Sequence, residues 1–286
     1  MINQTEIISH RAYYPGYIDN SLPSIKKVVE RRILPDFIEF DVQATLDHEL
    51  VVLHSYGLDK LTKGSGLVRE RTFNEIRKLF LIHKNGLLSD CVIPSLSEAV
   101  QILKGSGIGV KFDMKCEYDE HILSSIQKCI SDFGGDVIVH AEDMNFLRNF
   151  VKDFEGPSPK VRTSFGGWTV ILNTSDFFKD TYDCNFVDDF NNYPFGIDNK
   201  EAFDKVMEEG IPSVVDLKVD IISMPIRFIF SHELTKFFID KAHAVGLETE
   251  VWSVNDKDRF DMCIRSGIDQ ITTDRIALID KYFGKV

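Results

Sequence analysis

Two acids two residues apart open the chemistry of this chain. Phe37, Ile38, Phe40 and Val42 form an apolar, β-favouring run that Glu39 and Asp41 interrupt. Side chains at i and i+2 of a strand point to the same side, so the two carboxylates converge on one spot. Crowded carboxylates repel unless a cation or a shared proton compensates. A second apolar run, Leu50 to Leu53, ends in His54, and an earlier one, Glu6 to Ser9, ends in His10 and Arg11. A later run from Ile108 carries Asp113 and then Lys115. Acids and imidazoles at strand ends suit metal-assisted chemistry. Carboxylate oxygens match a hard divalent cation, and imidazoles exchange protons near neutral pH.

Composition limits what such a site serves. The 286 residues are 43% hydrophobic and 27% charged, enough for a sizeable core in a soluble protein. A net charge of −12 argues against a general nucleic-acid binder, which wants a basic face. An anionic substrate therefore needs a local positive site. No run of about 18 apolar residues suggests a membrane span. The start lacks the basic and apolar regions of a signal peptide. Cys91, Cys116, Cys129, Cys184 and Cys263 are scattered and odd in number, without a Cys-x-x-Cys pair. A reducing, cytoplasmic setting is the expectation.

The elements that must position these residues alternate. After the strand at 37–43, Leu50 to His54 continues or pairs with it across the turn at Leu46 to Glu49. Strands are expected near 108–115, 136–140, 161–165, 219–223, 247–254 and 268–272. Helices are expected near 119–133, 144–154, 200–209, 232–245 and 256–266, several closed by glycine. The stretch at about 56–105 reads as an excursion without a comparable strand. Thr72 with Glu75 and Ser95 with Glu98 open its helices as capping boxes. Residues 166–199 carry no assignable pattern. Strands alternating with helices favour a parallel α/β fold. The polar residues gather at the C-terminal strand ends, and no Gly-x-Gly-x-x-Gly follows the first strand. A (β/α)8 TIM barrel is therefore expected over 1–286, one domain with a small helical insertion after the second strand.

In this order the motifs resemble the glycerophosphodiester phosphodiesterases. The matching pieces are His10-Arg11, Asn20-Ser21, Glu39 to Asp47, Val51 to His54, Leu58-Asp59, Asp113 to Lys115, Val251 to Asp256 and Gly267 to Asp274. The resemblance implies that His10 and His54 are the general acid and base of phosphodiester cleavage. It implies that Glu39, Asp41 and Asp113 hold one divalent cation, Ca2+ or Mg2+. Arg11 and Lys115 would contact phosphate, Trp252 would line the substrate pocket, and the insertion would recognise glycerol. Hydrolysis would release glycerol 3-phosphate and an alcohol, so the partner is a small-molecule phosphodiester. The chain departs from the family pattern at Ala12 (usually Gly), Asp19 (Glu), Ser55 (Asp) and Asp113 (commonly Glu). Asp113-x-Lys115 is similar to the phospholipase D toxins, whose product is a cyclic phosphate, although those toxins lack a comparable insertion. A silent phosphodiester or sugar-phosphate-binding barrel is a third reading. His140, not specified by the resemblance, reads as a core or rim histidine.

Overall fold

The structure, a computed structural model, describes residues 5–154, 161–166, 203–204, 206–226 and 231–283. Its strands are β1 (Glu6–Ser9), β2 (Phe37–Ala44), β3 (Leu50–Val52), β4 (Phe80–Ile82), β5 (Leu88–Val92), β6 (Gly109–Met114), β7 (Val137–Ala141), β8 (Val161–Phe165), β9 (Ile221–Pro225), β10 (Glu248–Trp252) and β11 (Gln270–Thr273). β1, β2 and β6 to β11 run parallel in one sheet, and β1 pairs with both β11 and β2. That closes the expected eight-stranded barrel. Beyond Gly166, the unassigned stretch 166–199 lies outside the described residues.

Helices cover the barrel because their apolar faces repeat at helical spacing. In α1 (Leu22–Val29) Ser21 caps the first turn and Pro23 starts it, and Ile25 and Val28 are buried. The short α2 (Phe73–Ile76) and α3 (Leu96–Leu103) carry the two expected capping boxes. In α4 (Glu120–Phe133) Asp119 caps the start and Gly134, at φ +72°, ends it. α5 (Met144–Asp153) buries Phe146, Leu147 and Phe150. Later helices span Ile211–Leu217, His232–Ala244, Lys257–Ser266 and Ala277–Phe283. Among the described residues no helix is long and apolar enough to cross a membrane.

The excursion differs from its expected form in two ways. It contains a hairpin, β4 with β5, paired antiparallel from Phe80 to Val92. The pattern was hard to see because Phe80, Leu87 and Leu88 are exposed, so the strands lack a clean in–out alternation. Conversely, α3 packs beside α1 and α4 and contributes Leu96, Ala99, Val100 and Leu103 to the main core, so it is a barrel helix. Between these lies a second small core of Val51, Leu53, Leu58, Val68, Ile76, Leu81 and Ile93. Leu50 and Val52 belong to the main core instead. β3 is therefore buried on both faces, which accounts for its unbroken apolar sequence.

The barrel interior is stacked in charged and apolar levels. At the floor, Arg162 donates to Glu248 at 2.7 Å and to Glu6 at 2.8 Å, and Gln270 donates to Glu6 at 2.8 Å. Above it Ile8, Phe37, Ile138 and Ile221 form an apolar plug. Gly109 stands opposite Phe37 in the β2–β6 register, and a Cβ there would lie 2.3 Å from the Phe37 ring. Glycine is required at this close approach. Above the plug the walls turn polar again, at the C-terminal ends of the strands.

Candidate active site

The β2–β6 register sets Asp41 directly beside Asp113, and Glu39 beside Lys111. Phe37, Glu39, Asp41 and Gln43 share the inner face of β2, whereas Ile38, Phe40 and Val42 pack outward against the helices. Oxygens of Glu39, Asp41 and Asp113 lie within 4.8 Å of one another, and all three residues are buried. Glu39 Oε2 and Asp113 Oδ1 have no hydrogen-bond partner. Three buried carboxylates, two of them with an unpartnered oxygen, fit a hard divalent cation, because oxygen is the whole donor set.

Charge shifts follow from this crowding. Burial pushes the Glu39 carboxyl up to about 7; His10 and Lys111 oppose the rise, and Asp113 and Asp41 add to it. Burial also disfavours the Asp41 charge, but His54, Arg11 and Lys115 hold its pKa well below the usual carboxylate range. Asp113 is lowered against its burial chiefly by Lys115 and His140. Lys115 Nζ stands 2.8 Å from Asp113 Oδ2 and 3.5 Å from Asp41 Oδ1. Arg11 Nε stands 3.4 Å from Asp41 Oδ2, and Asn20 Nδ2 donates to the same oxygen at 2.7 Å.

Each histidine reaches the triad by a specific local device. β3 runs antiparallel to β2, and the Leu53 amide donates to the Asp41 carbonyl at 2.9 Å, so His54 is carried back to the level of the acids. Gln43 Nε2 donates to the carbonyls of Leu53 (2.5 Å) and Ser55 (2.8 Å), fixing the backbone on both sides of His54. His10 begins a short 3-10 turn after β1. There Arg11 and Ala12 adopt φ of +52° and +50°, the left-handed region in which glycine is unstrained. That is the physical reason for the family's usual Gly at position 12. The turn is held by Asn20 N donating to the Arg11 carbonyl (2.8 Å) and Ser24 Oγ donating to that of Ala12 (2.6 Å).

The two imidazoles are driven apart in acidity. Burial and the Arg11 charge push His54 down to about 3, so it is neutral across the ordinary pH range. His10 feels the same burial and the same arginine, but Glu39 and Asp274 outweigh them and its pKa is raised. His10 Nδ1 lies 2.6 Å from Asp274 Oδ1, and Nε2 lies 3.8 Å from Glu39 Oε2. Asn255 Nδ2 donates to Asp274 Oδ2 at 2.5 Å, while Asn255 Oδ1 accepts from the Asp274 amide at 2.9 Å.

Of the residues expected from sequence, His10, Arg11, Glu39, Asp41, His54, Asp113 and Lys115 meet at this mouth. Trp252 ends β10, elsewhere on the rim. His140 is buried, with Nδ1 2.9 Å from Ser164 Oγ, and burial and Lys111 push its pKa down to about 4. It is a neutral core histidine. Sequence reasoning assigned no role to Asn20, Gln43, Asn255 or Asp274. All four lie in the pieces that carry the family resemblance, and Gln43 is also the next inward position after Glu39 and Asp41. A cavity of about 790 Å3 opens from Asp113 and Lys115 toward Tyr56, Val68 and Arg69 of the excursion. That volume suits a small organic ligand.

Comparison with known proteins identifies the family. Residues 10–154 match the model of the glycerophosphoryl diester phosphodiesterase family. A glycerophosphodiester phosphodiesterase of Caldanaerobacter subterraneus is 24% identical, over 74% of this chain and 93% of the relative. Among solved structures, an Oleispira antarctica phosphodiesterase in complex with the product sn-glycerol-3-phosphate superposes with a TM-score of 0.71 at 15% identity, covering 97% of this chain and 96% of that one. A Parabacteroides distasonis glycerophosphodiester phosphodiesterase gives 0.67 at 18% identity, covering 98% and 97%. The matched segment runs from His10 through β2, His54 and Asp113 to the end of α5, and on that match the chain belongs to the glycerophosphoryl diester phosphodiesterase family.

Proposed function

We propose that this protein hydrolyses a glycerophosphodiester to glycerol 3-phosphate and an alcohol, with a divalent cation held by Glu39, Asp41 and Asp113. The observation that carries the reading is the pair of imidazoles, unequal in acidity, set around three buried carboxylates, two of which keep an unpartnered oxygen. Bound there, Ca2+ or Mg2+ neutralises charge on the phosphodiester and polarises its P–O bond. Arg11 and Lys115 add positive charge beside it and orient the phosphate. Neutral His54 takes the proton of the attacking water, and protonated His10 returns one from Nε2 to the leaving oxygen. Asp274 accepts from Nδ1 and so keeps the other nitrogen of His10 facing the reaction. Trp252 borders the substrate from the β10 side, and the excursion beside the cavity contacts its glycerol. The four described cysteines are free, which fits a reducing compartment such as the cytoplasm.

The test is a panel of glycerophosphodiesters incubated with Ca2+ or Mg2+ and followed by phosphorus NMR. Glycerol 3-phosphate is the expected product, formed only with cation and lost on chelation. Turnover undiminished by chelator overturns the cation's part. A cyclic phosphate as the sole product overturns hydrolysis in favour of intramolecular transfer.

A further inference from the structure

Below the triad lies an ion pair that the proposed reaction does not use. Lys111 faces inward from β6 at the register level of Glu39, and its Nζ donates across the barrel to Glu250 Oε1 on β10 at 2.5 Å. Thr272 Oγ1 on β11 donates to the same oxygen at 2.6 Å. The side chains of Lys111 and Glu250 are 3% and 0% exposed. Taking such a pair out of water is costly, and a hydrophobic pair of similar volume serves packing as well or better. The floor, already crossed by Arg162, does not need it.

Its position supplies a reason. Three carboxylates buried together require positive charge nearby. A lysine beside Glu39 with no other partner would close on that carboxylate and occupy the oxygens a cation needs. Here Glu250 and Thr272 anchor the ammonium from the other wall. Glu39 Oε2 remains buried without a hydrogen-bond partner.

We propose that Glu250 is a positioning residue for the acidic triad: by anchoring the Lys111 ammonium on the opposite wall it keeps that charge off Glu39 and leaves the Glu39 oxygens open to the divalent cation. The proposal rests on the cation-dependent reading above. Calorimetric titration with Ca2+ and with Mg2+ tests it in the wild-type chain, Glu250→Gln, Lys111→Met/Glu250→Gln and Thr272→Val. Glu250→Gln leaves the ammonium unbalanced and free to close on Glu39, so binding should weaken at least about tenfold. The double substitution removes both charges and should return affinity to within about threefold of wild type. Thermal melts add a second readout: in Glu250→Gln the rise in Tm caused by cation should shrink. A purely structural pair would instead lower Tm equally with cation and with chelator.

Wild-type affinity in folded Glu250→Gln overturns the positioning role and leaves the cation site intact. Should Glu250→Gln fail to fold, Thr272→Val loosens the same anchor without stranding a charge. A weakening of about threefold is expected there, and unchanged affinity overturns the role. If the wild-type chain binds neither cation, the cation-dependent reading falls, and this role falls with it.

Discussion

The charges at the floor and at the mouth of the barrel are finished differently. At the floor the guanidinium of Arg162 uses both arms on Glu6 and Glu248, lies 5.2 Å from the centre of the Phe37 ring, and leaves Glu6 to accept a second donor from Gln270. At the mouth three carboxylates face two cations at mixed distances, and oxygens of Glu39 and Asp113 stay without partners. Four apolar side chains separate the levels. A buried cation can be fully matched when the chain folds, as Arg162 at the floor shows. On the proposed reading, the unpartnered oxygens at the mouth are where a bound cation would complete the bonding.

Substitutions at the two ends should therefore fail in different ways. His54→Ala at the mouth removes the proposed base and should lower kcat by about a thousandfold or more. Its Tm should stay within a few degrees of wild type, because the ring makes little of the core. Near-normal turnover would remove His54 from the reaction. Arg162→Met at the floor should do the reverse. It strands Glu6 and Glu248, both partly exposed, and should cost about 2 kcal/mol of stability in a denaturant titration, with kcat/KM unchanged. If kcat/KM fell by more than about tenfold in a folded Arg162→Met chain, the two levels would not be independent.

The same contrast separates what was legible in the sequence from what was not. Glu39, Asp41 and Asp113 were legible because period-2 alternation puts polar residues on one face of strands whose other face is apolar. The barrel followed from strand–helix alternation, and several of its helix ends from Ser95, Gly134 and Gly267. The hairpin β4–β5 was hidden, since its side chains are too exposed to alternate. Arg162 gave no signal, because its partners lie 156 and 86 residues away in sequence. Asp274 stood at the end of a matching motif, but its role was hidden for the same reason: its partner His10 is 264 residues distant, and only closure of β11 onto β1 brings them together. Local pattern reports which face a side chain takes, not which distant side chain it meets.

Asp274 also provides the finest test of the difference between the levels, because it is a mouth carboxylate that is fully partnered. Its Oδ2 accepts from Asn255 Nδ2, and Asn255 cannot turn over without losing the Asp274 amide and the Thr273 hydroxyl, both of which donate to its Oδ1. Asp274→Asn therefore puts an amide N–H either against the Asn255 N–H or against His10 Nδ1. In the second orientation Nδ1 must accept, and the doubly protonated ring is disfavoured. Burial and Arg11, which already pull the His10 pKa down, then face Glu39 alone. The sign follows directly. In the wild-type chain His10 keeps its acid form to a pH above its ordinary value of 6.5, and activity is lost as pH rises through the raised pKa. In Asp274→Asn that alkaline limb should move down by about one pH unit, giving roughly tenfold lower kcat/KM at pH 8 and nearly normal rates at pH 5.5. The acid limb belongs to groups that the substitution does not touch and should stay in place. A pH–rate profile of the two chains reads both limbs, and an unmoved alkaline limb would mean that Asp274 orients His10 without setting its charge.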